Sequence, residues 1–260
     1  MLPFIYITNS FYIDTYLLLM GVAISITYIL SKATFNYFKI EQTQTKNQTR
    51  NQIKFLFIGC IVYGWILAKL LFASVIYLKF NLNLLFQLNF WFSGGVVFYG
   101  GLIGGLLFFI QYSLIMKKFN PTHAIYFLPS LCIGLAIGRI GCFLSGCCYG
   151  KQCNYFWGIE IYDRISRHPV QIYEVIFLLI LATIIFLLIK KKFVSLIIFS
   201  TFFSGHSIIR LILENFRGDE NRGVWQQFYA FSTSQIIAIF IIGFNIALYV
   251  YLFFYKRKRL

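Results

Sequence analysis

The chain has 260 residues, of which 59% are hydrophobic and 12% are charged, and its net charge is +15. Soluble domains carry about 25% charged residues, so this composition excludes a soluble globular enzyme, a disordered chain and a small disulfide-stapled secreted domain. Nucleic-acid binding does not explain the positive charge, because the basic residues sit at the ends of apolar stretches, as they do in membrane proteins. We therefore expect an all-α polytopic membrane protein.

Seven apolar stretches are long enough to cross a membrane as helices, which takes about 20 residues each. They cover residues 14–31, 55–78, 95–116, 122–142, 169–189, 193–215 and 231–255. The first has neither a basic segment before it nor a small-residue cleavage site close behind it, so we expect a retained helix rather than a signal peptide. Most Lys and Arg residues fall on the side of the C-terminal tail, which predicts an outer N-terminus and a cytoplasmic C-terminus.

We expect a single transmembrane domain over residues 1–260. The polar segment 32–54 is predicted to be a cytoplasmic loop, and 143–168 an outer-side loop. Segment 80–93 has Leu, Phe and Trp between Asn and Gln, which favours an interfacial or re-entrant position. No internal repeat is apparent, and this argues against a transporter built from duplicated halves.

Four polar residues in the sixth stretch, His206, Arg210, Glu214 and Arg217, are spaced by four, four and three positions and so share one helix face. An ionisable residue in hydrocarbon costs about 2.5–3.5 kcal/mol and usually faces the interior of a bundle. Two interpretations are open. The face holds an internal salt bridge, for example from Arg210 to Glu214, or it lines a cavity that opens to the outer leaflet.

Arg139, near the end of the fourth stretch, lies beside a strip of glycines, Gly134, Gly138 and Gly141. A strip without side chains lets another helix or a ligand approach closely. Arginine stays ionised when buried, and its planar fork of donors suits phosphate oxygens. Arg139 and Arg210 together therefore predict a lipid phosphate site. This prediction fails if both groups turn to unrelated carboxylates and leave no space for a lipid head group.

Further polar groups enter the other stretches. Tyr99 is the polar side chain of the glycine-rich third stretch, where a buried tyrosine with a satisfied hydroxyl is the structural alternative. The fifth stretch opens at Pro169 and carries polar groups that are costly in the membrane when unpaired: Gln171, Tyr173 and Glu174. Lys69 either snorkels to the membrane surface or adds a third positive charge to the phosphate site.

Four of the six cysteines, Cys142, Cys147, Cys148 and Cys153, crowd into a short segment. Structural zinc sites usually combine two cysteine pairs or add histidines, and no matching histidine is near these residues. A metal site and an outer-side disulfide, for instance through Cys153, are both left open. The sequence does not set the redox state of these thiols, and we assign no metal ligand.

Four motifs resemble bacterial phosphatidylglycerol–prolipoprotein diacylglyceryl transferases, and the resemblance extends from about Tyr16 to the last helix. The motifs are Phe98-Tyr99-Gly-Gly-Leu-Ile-Gly104, Gly138-Arg139-Ile-Gly-Cys-Phe-Leu-Ser-Gly, His168-Pro169-Val-Gln-Ile-Tyr-Glu174 and Arg210…Glu214-Asn-Phe-Arg217-Gly-Asp219. The resemblance implies an enzyme of the bacterial cytoplasmic (inner) membrane that takes the diacylglyceryl group from phosphatidylglycerol. It implies that the acceptor is the lipobox cysteine in a prolipoprotein signal peptide and that glycerol phosphate is released. No metal or organic cofactor is expected.

The resemblance also assigns site residues. Arg139 matches the family's essential arginine and Arg210 that of the late helix. His206 is the expected base for the thiol, with Tyr99 as a hydrogen-bonding partner. The expected substrate-binding residues are Tyr16, Gly100, Gly101, Gly104, Gln171, Tyr173, Glu174 and Arg217.

The chain departs from the family pattern at several positions. Tyr99 stands where the family usually has His, His206 stands where it has Tyr, and Cys142 replaces a usual Asn. The His and Tyr have thus exchanged places. Three alternatives follow from these departures: an enzyme with another acceptor, a catalytically inactive lipid-binding or assembly protein, and a lipid transporter.

Overall fold

The computed structural model describes residues 4–8, 11–38, 46–76, 86–87, 90–91, 98–115, 121–160, 164–218, 224–225 and 231–257. Seven long α-helices dominate the described residues. They are α1 (Thr15–Tyr37), α2 (Lys46–Ile76), α3 (Phe98–Ile115), α4 (Leu128–Leu144), α5 (Val170–Lys190), α6 (Ser195–Glu214) and α7 (Thr233–Arg257). A 3-10 helix, Pro121–Phe127, leads into α4.

Three antiparallel pairs of short strands accompany the helices. They are β1 (Phe4–Thr8) with β2 (Phe11–Asp14), β3 (Ile159–Glu160) with β4 (Ser166–Arg167), and β5 (Val224–Trp225) with β6 (Phe231–Ser232). The β1–β2 pair leads directly into α1, and β6 leads directly into α7.

Six helical segments are long and apolar enough to cross a membrane, namely Thr15–Tyr37, Lys54–Ser74, Thr122–Leu144, Val170–Lys190, Ser195–Glu214 and Ser234–Tyr251. A shorter apolar helix, Gly100–Ile115, corresponds to the predicted third stretch. The predicted all-α polytopic membrane protein with about seven transmembrane helices is confirmed. Its orientation across the membrane stays a prediction.

The polar segment 32–54 is largely helical rather than a loop. Helix α1 continues to Tyr37 and α2 already begins at Lys46. Lys, Gln and Arg favour helix as much as most apolar residues do, so a helix can continue into water beyond the hydrocarbon. Most of the predicted interfacial segment 80–93 lies outside the described residues. The predicted loop 143–168 corresponds to the connection between α4 and α5, and its side of the membrane stays a prediction.

The described helices divide into two compact units, residues 1–39 with 124–260 and residues 40–123. In the smaller unit, α2 packs on α3 through glycines. A Cβ added to Gly100 would lie 2.7 Å from the Cα of Ala68, and one added to Gly104 would meet the backbone of Tyr63. These two glycines thus let the two helices pack closely, as small residues do between membrane helices. Their expected contribution to substrate binding, like that of Gly101, stays a prediction.

Lys69 of the same unit is buried, with 1% of its surface exposed. Its Nζ donates a hydrogen bond of 2.8 Å to the carbonyl oxygen of Phe90 and lies over the rings of Phe72 and Phe90. The ammonium group thus contacts protein groups of the smaller unit, and the choice between snorkelling and a place in the phosphate site stays open.

In the larger unit, α4 packs against α1 and α5, and α6 packs against α5 and α7. The glycine strip of α4 faces α1: a Cβ on Gly141 would lie 3.3 Å from Leu19 and 3.5 Å from the ring of Tyr16, and one on Gly134 would meet Thr27. Large apolar residues between the helices are fully buried, among them Leu178, Ile185 and Ile198. Close helix packing thus accounts for these two glycines.

Candidate active site

Four charged side chains and one serine from several helices meet at one end of the larger unit. They come from the end of α4 (Arg139), the start of α5 (Glu174), the end of α6 (Arg210, Glu214) and the start of α7 (Ser234). The charged groups pair with one another in a largely apolar core. We call these five residues the ion-pair cluster.

Glu174 lies at the centre of the ion-pair cluster. Its Oε2 is 3.0 Å from Nε of Arg139 and 3.3 Å from Nη1 of Arg210, and its side chain is almost fully buried. Both arginines thus share one carboxylate oxygen. In the structure, Glu174 links two cations. The contact of Glu174 with the substrate, expected from the sequence, stays a prediction.

Arg210 is fully engaged with protein groups. Its Nη2 donates to Oε2 of Glu214 at 2.9 Å and to Oγ of Ser234 at 3.3 Å, while Ser234 Oγ also donates to that carboxylate at 3.2 Å. The internal salt bridge from Arg210 to Glu214, one of the two interpretations left open, is present. Both terminal nitrogens of Arg210 already contact carboxylates, and its direct binding of a lipid phosphate stays a prediction.

Arg139 differs from Arg210 in exposure and in how it is held. It contacts Glu174 through Nε, and 20% of its side chain is exposed, compared with 7% for Arg210. Within the described part of the chain, no hydrogen bond of its two terminal nitrogens to a protein group is found. Arg139 thus has donors left for a ligand, so the two arginines are not equal partners in a phosphate site.

A third arginine lies at the ion-pair cluster. Arg217, just beyond α6, has its Nη1 3.9 Å from Oε2 of Glu214. Among the described residues, three guanidinium groups thus surround the two buried carboxylates. Such arginine-rich surroundings, next to the exposed part of Arg139, favour binding of an anion.

His206 lies one helical turn before Arg210 and is buried, and its ring stacks on Phe202 with 6.4 Å between centroids. His206, Arg210 and Glu214 are all buried, which confirms the shared helix face predicted from their spacing. The side chain of Tyr99 lies outside the described residues. The predicted partnership of His206 with Tyr99 is therefore untested.

The start of α5 anchors the segment between α4 and α5. Nε2 of Gln171 donates a hydrogen bond of 2.6 Å to the carbonyl oxygen of Cys147, and the hydroxyl of Tyr173 lies 3.2 Å from Nδ1 of His168. A cavity of about 600 Å³ adjoins His168 and is lined by Gln152, Cys153, Asn154, Tyr155 and His168. Its lining includes neither Arg139 nor Arg210.

Three of the four crowded cysteines form a compact group, for which the sequence left a metal site open without assigning ligands. The Sγ atoms of Cys142, Cys147 and Cys148 all lie within 4.8 Å of one another. Gly146 (φ 69°) and Cys148 (φ 61°) adopt the left-handed conformation, which turns the chain back toward the end of α4. All six cysteines are free thiols, so the outer-side disulfide considered for Cys153 is not present.

This cysteine cluster lies close to the arginines. Thiol hydrogen bonds from Cys142 and Cys147, together with the positive charges of Arg139 and Arg217, lower the pKa of the Cys148 thiol well below its usual value. The same hydrogen bonding raises the pKa of Cys147. Negative charge in the group is therefore concentrated on Cys148. Tyr16 interacts electrostatically with Arg139 and with all three cysteines, so its expected place near the site fits this geometry.

The family assignment comes from comparison with known proteins. A family model described as prolipoprotein diacylglyceryl transferase matches residues 3–251. The chain belongs to this family. A phosphatidylglycerol–prolipoprotein diacylglyceryl transferase of Clostridium tetani is 34% identical over 157 residues, which are 58% of this chain and 61% of the relative. Two proteins of the same name are 29% identical (Geobacter sulfurreducens, 79% of each chain) and 26% identical (Pseudoalteromonas translucida, 86% of each chain).

Three of the four motifs that resemble the diacylglyceryl transferases meet in the larger unit. Arg139 and Arg210, from two of these motifs, each contact Glu174 from the third. The motif that contains Tyr99 belongs to the smaller unit. The ion-pair cluster thus brings together charged residues from three of the four motifs.

Proposed function

We propose that this multi-pass membrane enzyme transfers the diacylglyceryl group of phosphatidylglycerol to the lipobox cysteine thiol of a prolipoprotein signal peptide, releasing glycerol phosphate. The observation that carries the proposal is the exposure of Arg139 and its contact through Nε. This partly exposed guanidinium group is held through Nε at the edge of the buried ion-pair cluster, which has Arg217 as a further cation nearby. Membership of the prolipoprotein diacylglyceryl transferase family supports diacylglyceryl transfer as the function.

Arg139 is suited to bind the phosphate of the donor lipid. The Nε bond to Glu174 fixes the plane of the guanidinium group, so the two terminal nitrogens are directed as a fork. Arg210 holds Glu174 from the other side, so this carboxylate stays on Nε and does not compete with the phosphate for the terminal nitrogens of Arg139. As the ester bond breaks, negative charge increases on the leaving phosphate oxygen, and a preorganised cation stabilises that charge.

The acceptor thiol must lose its proton to attack. A free cysteine has a pKa of about 8.5, so a base or a positive environment is needed to increase the thiolate fraction. His206, buried one turn from Arg210, is the proposed base. The thiolate sulfur then forms a bond to the terminal glyceryl carbon. The bond from that carbon to the phosphate oxygen breaks, and glycerol phosphate leaves with the electron pair.

The charge pattern supports a reaction at the outer face of the bacterial cytoplasmic membrane. Lys190 ends α5, and Lys191 and Lys192 follow it before α6, at the end of these helices opposite the ion-pair cluster. Clusters of Lys mark the cytoplasmic side. The ion-pair cluster then lies toward the outer leaflet, where the lipid donor and the signal peptide both reach it from the membrane.

The test uses the purified full-length chain in vesicles that contain phosphatidylglycerol, with a lipobox peptide as acceptor. We expect release of glycerol phosphate and a mass increase of the peptide by one diacylglyceryl group. A peptide with serine in place of cysteine and vesicles with phosphatidylethanolamine alone are the controls, and neither should react. Saturable lipid binding without transfer would support the inactive lipid-binding alternative and overturn the proposal.

A further inference from the structure

We infer that Cys142, Cys147 and Cys148 bind one Zn²⁺ ion, and that the fourth coordination position of this ion takes the acceptor thiol. Metal binding is inferred from the cysteine geometry alone. Binding of the acceptor thiol rests on the proposed function, because it names how the site receives the cysteine of its peptide substrate.

The distances among the three sulfurs suit a single metal ion. All three Sγ atoms lie within 4.8 Å of one another. In a tetrahedral thiolate site with Zn–S bonds of about 2.3 Å, neighbouring sulfurs are about 3.8 Å apart. Small side-chain rotations therefore suffice to place the three atoms around one ion.

The backbone holds the three cysteines in place. The N–H of Cys147 donates to the carbonyl of Cys142 at 3.1 Å, and that of Gly146 to the carbonyl of Phe143 at 3.1 Å. The positive φ of Cys148, which non-glycine residues rarely adopt, is what directs it back to the group. Gln171 ties the segment to α5 through the carbonyl of Cys147. Such outer contacts orient the ligands of a metal site.

The surroundings balance the charge of a metal–thiolate centre. Three thiolates and one dication leave a net charge of −1. Arg139 and Arg217 both interact electrostatically with Cys148 and offset that charge. Since Arg139 is also the proposed phosphate ligand, the metal ion would lie beside the bound donor lipid.

The exposure of the cysteines suits a site that takes part in the reaction. Cys142 is buried and Cys147 is exposed, so the group is closed on one side and accessible on the other. Zinc with three protein ligands and one open position is typical of catalytic sites, whereas structural sites have four.

An incoming thiol would fill the open position as a thiolate, and His206 would accept its proton. The bound sulfur then attacks the glyceryl carbon as described above. The carbon–sulfur bond forms, the carbon–oxygen bond to phosphate breaks, and the thioether product, a weaker ligand than a thiolate, leaves the metal. No oxidant or reductant is needed.

The first experiment measures metal binding by the full-length chain in detergent. We expect about one zinc per chain, and an absorption band from thiolate to cobalt when Co²⁺ replaces it. Cys147→Ser should lose the bound metal, while Cys153→Ser, which changes a cysteine of the same segment outside the group, should keep it. The inference is overturned if the protein holds less than about 0.1 zinc per chain and shows no thiolate–cobalt band on adding Co²⁺. It is also overturned if the two variants have the same metal content.

The second experiment adds a lipobox peptide to the Co²⁺-loaded protein. A fourth thiolate should increase the absorption band by about one third, and the serine peptide should leave it unchanged. An unchanged band with the cysteine peptide, or full transfer by metal-free protein, would refute the role of the open position. The protein could bind the metal and show the increase of the absorption band while no peptide is modified. In that case the proposed function has failed and the metal site stands.

Discussion

The different surroundings of Arg139 and Arg210 predict different effects when each is replaced by glutamine. Arg210 contacts two carboxylates whose side chains are 4% and 2% exposed. Breaking buried ion pairs from one side costs about 3–5 kcal/mol. At about 2–4 °C per kcal/mol for a chain of this size, Arg210→Gln should lower the melting temperature by roughly 10 °C.

Arg139→Gln should affect activity much more than stability. It removes one ion pair, and Glu174 keeps its contact with Arg210. A hydrogen bond to a charged group contributes about 1.5–3 kcal/mol, so we expect a decrease of roughly 5 °C in melting temperature. Loss of the phosphate ligand should reduce transfer by about 10²–10³-fold. Arg139→Lys should be intermediate, because one ammonium group cannot contact Glu174 and a phosphate in the same way.

The assay combines tryptophan fluorescence during heating with glycerol phosphate release from phosphatidylglycerol vesicles. Lys190→Gln, an exposed change at the opposite end of α5, is the matched control and should alter neither quantity. The reasoning is refuted if Arg139→Gln retains more than about a tenth of the wild-type rate. It is equally refuted if Arg210→Gln melts at the wild-type temperature.

Three further predictions concern other positions. Gly104→Val should lower the melting temperature by about 5 °C because α2 leaves no room for a side chain, whereas Gly21→Ala, which faces open space, should be neutral. Lys69→Met should keep at least about half of the transfer rate, since the ammonium group already contacts Phe90; a complete loss would place Lys69 in the phosphate site. His206→Phe should reduce transfer by about 10²-fold or more; a larger effect of Tyr99→Phe would assign the base to Tyr99.

The transmembrane helices could be predicted from hydropathy because burial in lipid requires long apolar runs. The fifth stretch, predicted at 169–189, is observed as Val170–Lys190. The start of α2 could not be found in this way. Its first turns from Lys46 are polar, and hydropathy reports only the part of a helix that lies in hydrocarbon.

The ion-pair cluster was predictable within one helix and not between helices. The i, i+4 spacing placed Arg210 and Glu214 on one face and led to their salt bridge as an explicit alternative. The shared contact of Arg139 and Arg210 with Glu174 depends on how α4, α5 and α6 rotate against one another. That rotation is set by side-chain packing, which one sequence does not reveal.

The cysteine cluster shows where an argument from spacing breaks down. Spacing rules for zinc assume that the second half of a motif lies elsewhere in the chain, and none is present near Cys142. Here Gly146 and Cys148 both adopt the left-handed conformation and return the adjacent Cys147 and Cys148 to the end of α4. These two cysteines, close to Cys142 in the sequence, thus supply the thiols that a distant pair supplies in the usual motif. Gly146 itself was the signal available in the sequence, because glycine adopts the left-handed conformation at little cost. A glycine directly before adjacent cysteines near a helix end should therefore prompt a search for a metal site even when the usual second pair is missing.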